Sequence, residues 1–229
     1  MKVRDFSKLF FAILFLHLVV IYKPESDLLY MISKPLLLFS LLAFFIHKTA
    51  HIELSGKSWV AAALLFSMIG DIILMQDGSM YFLIGMGAFA MAHVFYILFY
   101  LNQKLKSSPL ALLCAALVMV GGIIVLYKYV NDPAEITPYL YVYALVIGLH
   151  LLASTRFIAL GDRLTKLAVG GALLFVVSDL LIAFNQFNGY DKYLHIAVML
   201  TYGLAQYGIT IGLISYLENN GKVNEHLSE

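Results

Sequence analysis

The sequence predicts an all-α, polytopic membrane fold, a bundle of eight transmembrane helices, and three observations carry that expectation. Of the 229 residues, 62% are hydrophobic and 13% are charged, whereas an average soluble domain is about 45–50% apolar and about 25% charged. Apolar runs that approach or span a hydrocarbon core of roughly 30 Å recur along the whole chain. The stretches between them are short and hold most of the charge, which leaves no room for a soluble domain, so residues 1–229 read as a single transmembrane domain.

The runs fall at about Phe6 to Tyr22, Leu28 to His47, Ser58 to Met75, Tyr81 to Leu101, Pro109 to Tyr129, Pro138 to Ala153, Leu167 to Phe187 and Tyr193 to Leu217. The first has a basic start but no small-residue cleavage site before Tyr22-Lys23-Pro24, so a retained helix is expected in place of a signal peptide. Lys and Arg are retained on the cytoplasmic side. With the N-terminus inside, the inner segments hold eleven basic residues: Lys2, Arg4, Lys8, Lys48, Lys57, Lys104, Lys106, Arg156, Arg163, Lys166 and Lys222. The outer loops hold three, Lys23, Lys128 and Lys192. Eleven against three favours both termini in the cytoplasm of a multi-pass protein of the cell (inner) membrane. A net charge of +1 without a basic stripe gives no reason to expect nucleic acid. Cys114 is alone, which excludes an internal disulfide. The partners implied are membrane lipids, with no obligate protein partner.

Two aspartates interrupt this pattern. Asp71 lies in LLFSMIGDIILM and Asp179 in LLFVVSDLLIAF. A carboxylate near the bilayer centre costs a few kcal/mol even on the lenient insertion scale, so each needs a partner, a proton or a water-filled cavity. Leu64-Leu65-Phe66 and Leu173-Leu174-Phe175 precede the two aspartates in similar contexts, a weak parallel repeat of spans 3 and 4 in spans 7 and 8. At about 1.5 Å per residue, Asp71 lies about four residues, and Asp179 about two, beyond the middle of its span toward the outer face. Lys34, inside span 2, lies a similar distance outward. One cation and two carboxylates in one layer are simplest as an ion pair plus a second carboxylate that keeps or shares a proton, an arrangement that supplies an acid and a base. The three could also only bind the bundle together. The small neighbours Gly70 and Ser178 leave space that packing does not require.

Other polar residues divide similarly. His93, one turn before Tyr96, either faces the aspartate layer or packs as a hydrogen-bonded histidine. His17, His150 and His195 are scattered and read as packing. His47 and His51 have i, i+4 metal-ligand spacing but lie at the cytoplasmic end of span 2, away from the carboxylates, so an interfacial pair is expected. Tyr202 and Gln206 share a face of span 8, and Gln206 should point inward. Gly208 and Gly212 form a small-residue contact ridge. Tyr139 reads as an interfacial aromatic. Tyr143 is deep enough to line a cavity.

Taken together, Lys34-Pro35, Gly70-Asp71, Gly85 through His93 to Tyr96, Gly171-Ala172 with Phe175 and Ser178-Asp179, and Tyr202 with Ala205-Gln206 resemble the YhhN-type lysoplasmalogenases over roughly Lys34 to Gly212. That resemblance implies an intramembrane hydrolase that cleaves the vinyl ether bond of a lysoplasmalogen. It implies Asp71 and Asp179 as catalytic, with Lys34 at the lipid phosphate and His93, Tyr143, Ser178, Tyr202 and Gln206 around the lysophospholipid. No metal and no other cofactor is expected. The same acids, cation and repeat also suit a proton-coupled lipid or small-molecule transporter. A metal-dependent amidase is disfavoured, because the histidines do not collect near the aspartates with ligand spacing.

Overall fold

The computed structural model describes residues 1–23, 26–103, 105–130, 135–160 and 162–228, with side chains described through residue 220. Pro24 at the end of the first run, Lys104 and the side chain of Lys222 therefore lie outside the described residues. Among the described residues the chain is all helix: α1 (Val3–Tyr22), α2 (Asp27–Thr49), α3 (Lys57–Ile73), α4 (Ser79–Asn102), α5 (Pro109–Tyr129), α6 (Thr137–Ser154) continued by a 3₁₀ turn (Thr155–Ala159), α7 (Arg163–Phe187) and α8 (Lys192–Ser228).

Local chemistry sets these boundaries. Ser26 caps α2 by accepting from the Leu29 N–H, and Asp162 caps α7 by accepting from Leu164 and Thr165, which satisfies donors that a helix start leaves unpaired. Pro109 and Pro138 sit in the first turns of α5 and α6, where the missing N–H costs nothing. Gly56 and Gly78, at φ of 92° and 120°, occupy left-handed positions before α3 and α4 that side chains disfavour. Among the described residues, seven segments are long and apolar enough to cross a membrane: every helix except the 17-residue α3, with α6 counted through its 3₁₀ turn and α8 through Asn220.

The chain shuttles between two ends of the bundle. At one end Met1 meets His47 at 3.2 Å, Lys57 donates to Thr49 and Ile52 carbonyls, Asn102 donates to Ser55, Tyr216 donates to Gln103, and Lys48 pairs with Glu218 at 2.7 Å. At the other, Lys192 donates to the Tyr22 carbonyl and Asn188 to that of Tyr129. α8 is the central helix, packed on α7, α1 and α2, and α7 meets it backbone to backbone. A Cβ on Gly171 would stand 2.6 Å from the Ala205 carbonyl oxygen, and one on Gly212 2.5 Å from the Ala168 nitrogen. Close approach through small residues is how helices associate where lipid offers no hydrophobic drive. α5 is peripheral, burying only Ala115 and Leu126. Apolar side chains such as Phe15, Leu110, Leu117 and Val142 are exposed on the outside of the bundle, which is where lipid tails would cover them.

Candidate active site

Lys34 and Asp71 meet inside the bundle. Pro35 cannot donate to the Met31 carbonyl, and in that loosened turn of α2 the Lys34 ammonium lies 3.7 Å from Asp71 Oδ1, with both side chains almost wholly buried. Asp71 sits two residues before the end of α3, next to Gly70, whose missing side chain admits the Phe89 ring of α4; a Cβ there would stand 2.8 Å from it. The other carboxylate oxygen of Asp71 accepts the Tyr202 hydroxyl at 2.8 Å. One carboxylate thus holds α2, α3 and α8 together.

Asp179 of α7 has different company. Its Oδ2 accepts the Tyr143 hydroxyl from α6 at 3.1 Å, and His93 Nε2 of α4 lies 3.6 Å from the same oxygen, too far for a hydrogen bond. Behind it, His93 Nδ1 meets His150 Nδ1 at 2.9 Å, with both rings fully buried.

The two carboxylates line different spaces. Asp71, Lys34 and Tyr202 face a chamber of about 690 Å³ whose wall also includes Tyr30, Asn185 and His195, and which reaches the loop residues Ser26, Asp77 and Tyr190 and the first residues of α2 and α8, Asp27 and Lys192, at one end of the bundle. Asp179 and Tyr143 face a narrow slot of about 60 Å³ under α5, walled by Met119, Gly122, Leu126, Ile147 and Val176 among other apolar groups. Leu74, Phe82, Phe89 and Ile182 line both and form the partition.

Three of the residues the sequence singled out stand behind these surfaces. His93 backs Asp179 as described. Gln206 accepts from Tyr96 at 2.9 Å and donates to Ser67 at 2.9 Å. Ser178 donates to the Val198 carbonyl at 3.2 Å. His47 contacts the N-terminus, remote from the carboxylates. Tyr30, Asn185, His195 and Lys192 in the chamber wall, and His150 behind His93, were not expected at the site. His150 and His195 look in the sequence like any histidine on an apolar helix, and only the packing of α4 on α6 and of α2 on α8 brings them to it.

Compared with known families, the chain matches the YhhN family over residues 29–213. The chain belongs to the YhhN family. It is 33% identical over 164 residues to the lysoplasmalogenase TMEM86A of Bos taurus, covering 69% of this chain and 66% of that protein. It is likewise 33% identical over 163 residues to the lysoplasmalogenase TMEM86A of Homo sapiens, with the same coverage. The chain thus matches just under two thirds of the length of these curated relatives. No solved structure matches it. With seven apolar, span-length helices, this YhhN-family member is a multi-pass integral membrane protein.

Proposed function

We propose that this YhhN-family protein is an intramembrane hydrolase that cleaves the vinyl ether bond of lysoplasmalogens, releasing a fatty aldehyde and a glycerophospho-alcohol, glycerophosphoethanolamine or glycerophosphocholine. The observation that carries the reading is the pair of buried aspartates set on two spaces, one with several polar groups in a mixed wall and one almost wholly apolar, with one shared partition. A lysoplasmalogen has a phosphate head and one alkyl chain, joined close to the scissile bond. The chamber suits the head and the apolar slot, at about 60 Å³, suits only the first carbons of the chain, which puts the vinyl ether at the Leu74, Phe82, Phe89 and Ile182 partition, between Asp71 and Asp179. The curated relatives' name, lysoplasmalogenase, supports the same substrate class.

The surroundings suggest who does what. Asp71, beside the Lys34 ammonium and under the Tyr202 hydroxyl, is the carboxylate. Asp179, with a tyrosine donor and no lysine or arginine paired to it in the described contacts, is the acid. Asp179 gives its proton to the alkene carbon remote from oxygen, and the π electrons close an oxocarbenium ion that the Asp71 charge stabilises. Asp71 then takes a proton from water as the water oxygen bonds to the cationic carbon. The hemiacetal collapses when its hydroxyl proton returns to Asp179, the new carbonyl forms, and Asp71 protonates the departing glyceryl oxygen. Both aspartates end as they began. Lys34 also lines the chamber, where its remaining N–H donors suit the lipid phosphate.

We further infer eight spans with both termini cytoplasmic, in the inner membrane. α3 runs about 25 Å between the same two ends as its neighbours, at about 1.5 Å per residue, and the chamber opens at the end that holds few basic residues. The deciding experiment incubates the full-length protein in detergent with a lysoplasmalogen, chelator and labelled water. Free aldehyde carrying the water oxygen, trapped before exchange, supports the hydrolase. Loss of activity on chelation would refute metal-free acid–base catalysis. Transport in sealed vesicles without any cleavage product would favour a carrier.

A further inference from the structure

The pairing of His93 with His150 is not used by the chemistry above, and it has one property that packing does not explain. Both rings are fully buried, and their Nδ1 atoms lie 2.9 Å apart. At that distance a single proton lies between them, so one ring donates and the other accepts. The outer nitrogens, His93 Nε2 and His150 Nε2, have no hydrogen-bond partner among the described residues. His150 is enclosed by the rings of Tyr96 at 5.1 Å, Tyr100 at 5.8 Å and Phe175 at 6.5 Å. A side chain present only for packing would place a hydrocarbon there and leave no polar nitrogen unsatisfied.

The proton between the rings decides which atom of His93 faces the acid. If His150 donates, His93 carries its own hydrogen on Nε2 and aims an N–H at the Asp179 carboxyl, where it would stabilise the charged form and oppose an acid's role. An N–H aimed at a carboxylate closes to about 2.7–2.9 Å. The gap here is 3.6 Å. If His150 accepts, His93 is protonated at Nδ1 and presents a bare Nε2 to Asp179.

We propose that His150 is a positioning residue for Asp179: its Nδ1 accepts the Nδ1–H of His93, and this holds a bare His93 Nε2 against the carboxyl so that the carboxyl keeps its proton until the alkene takes it. The proposal rests on Asp179 acting as the acid.

The first test needs no substrate. Nitrogen-15 spectra of the histidine side chains in the detergent-solubilised full-length protein should show His93 protonated at Nδ1 and His150 at Nε2, and the opposite pattern overturns the proposal. The second test is kinetic. In His150→Asn the Oδ1 acceptor stands two bonds from Cβ, as Nδ1 does, whereas His150→Phe keeps an aromatic ring against Tyr96 and Tyr100 without an acceptor. His150→Phe should lower kcat on the order of tenfold with KM within about twofold, and His150→Asn should recover most of that loss. Equal losses in the two variants, or a change in KM alone, would mean that His150 only packs. If His150→Phe fails to fold, the wild-type nitrogen spectra still decide. If the wild-type protein cleaves no lysoplasmalogen, the proposed function fails while the spectra still decide the His93 and His150 tautomers.

Discussion

Removing the Lys34 ammonium strands an almost wholly buried carboxylate at the inner wall of the chamber, and the cost can be worked from the geometry. At 3.7 Å two unit charges attract by about 4.5 kcal/mol at an effective dielectric of about 20. Desolvation of both groups offsets much of this, so the pair as a whole adds little stability, yet breaking it from one side leaves the other charge unpaired at about 3–5 kcal/mol. Lys34→Met and Asp71→Asn should therefore each destabilise the protein, and the double variant should be destabilised by less than the sum of the two single losses. A coupling of about 2–4 kcal/mol is expected, well above the roughly 0.5 kcal/mol scatter of independent sites. Reversible unfolding of the four proteins in mixed micelles measures it. Kinetics on the same set separates the two duties proposed for Lys34: loss of a phosphate partner should raise KM, and loss of the Asp71 counter-charge should lower kcat. Additive stabilities within about 0.5 kcal/mol would refute the ion pair as the organising contact of the chamber.

Asp71→Asn and Asp179→Asn should each lower lysoplasmalogen turnover by about 100-fold or more per folded molecule, with expression retained for Asp179→Asn and reduced for Asp71→Asn by the stranded Lys34 charge; turnover within a few fold of wild type for either removes that residue from the chemistry. Gly171→Ala should destabilise by about 1–3 kcal/mol in thermal unfolding, because its Cβ would meet α8 backbone at 2.6 Å and 2.7 Å, whereas Gly170→Ala, with nothing within 4 Å, should be neutral or stabilising. Asp162 at the start of α7 is held at about 2, below its ordinary 3.8, first by the Thr165 hydroxyl and then by Ser215. A depressed carboxyl contributes stability that is present above about pH 4 and lost as pH falls toward about 2. Asp162→Ala should thus lower stability by about 1 kcal/mol near neutral pH, and the difference from wild type should shrink as pH falls from about 4 through about 2 in the same unfolding assay.

Charge in an apolar run was the strongest signal in the sequence, and it led to Lys34, Asp71 and Asp179 because lipid makes such residues expensive wherever they stand. Tyr143 and Tyr202 were reached by depth and by the spacing of Tyr202 with Gln206. What the sequence left open was pairing. Lys34 could have met either aspartate, and nothing local says that Tyr202 serves Asp71 while Tyr143 serves Asp179; those partnerships come from α8 lying against α2 and reaching Asp71 of α3 through the Tyr202 side chain, and from α6 lying against α7. His150 was passed over for the same reason. Its partner His93 is 57 residues away, and the apolar residues around each carry no trace of the other. Helix ends drifted by a few residues where a polar start was absorbed into the helix, as in α7, which begins at Arg163 because Asp162 caps it. The sequence reading placed that start at Leu167.

α8 explains how so many polar groups coexist in this interior. Tyr202 and Gln206 stand one turn apart, and each reaches a different residue of α3: Tyr202 bonds Asp71, and Gln206 bonds Ser67, itself one turn before Asp71. Gln206 also accepts from Tyr96 of α4. The two ladders of spacing, 202 to 206 and 67 to 71, match because both helices repeat at 3.6 residues per turn, so two hydrogen bonds fix the rotation of α8 against α3. A fixed rotation is what an acid–base site requires, since a donor displaced by an ångström no longer holds the Asp71 carboxylate toward the chamber. In the proposed hydrolase Gln206 therefore serves the site although it lines neither the chamber nor the slot: it fixes the register of the helix that carries Tyr202.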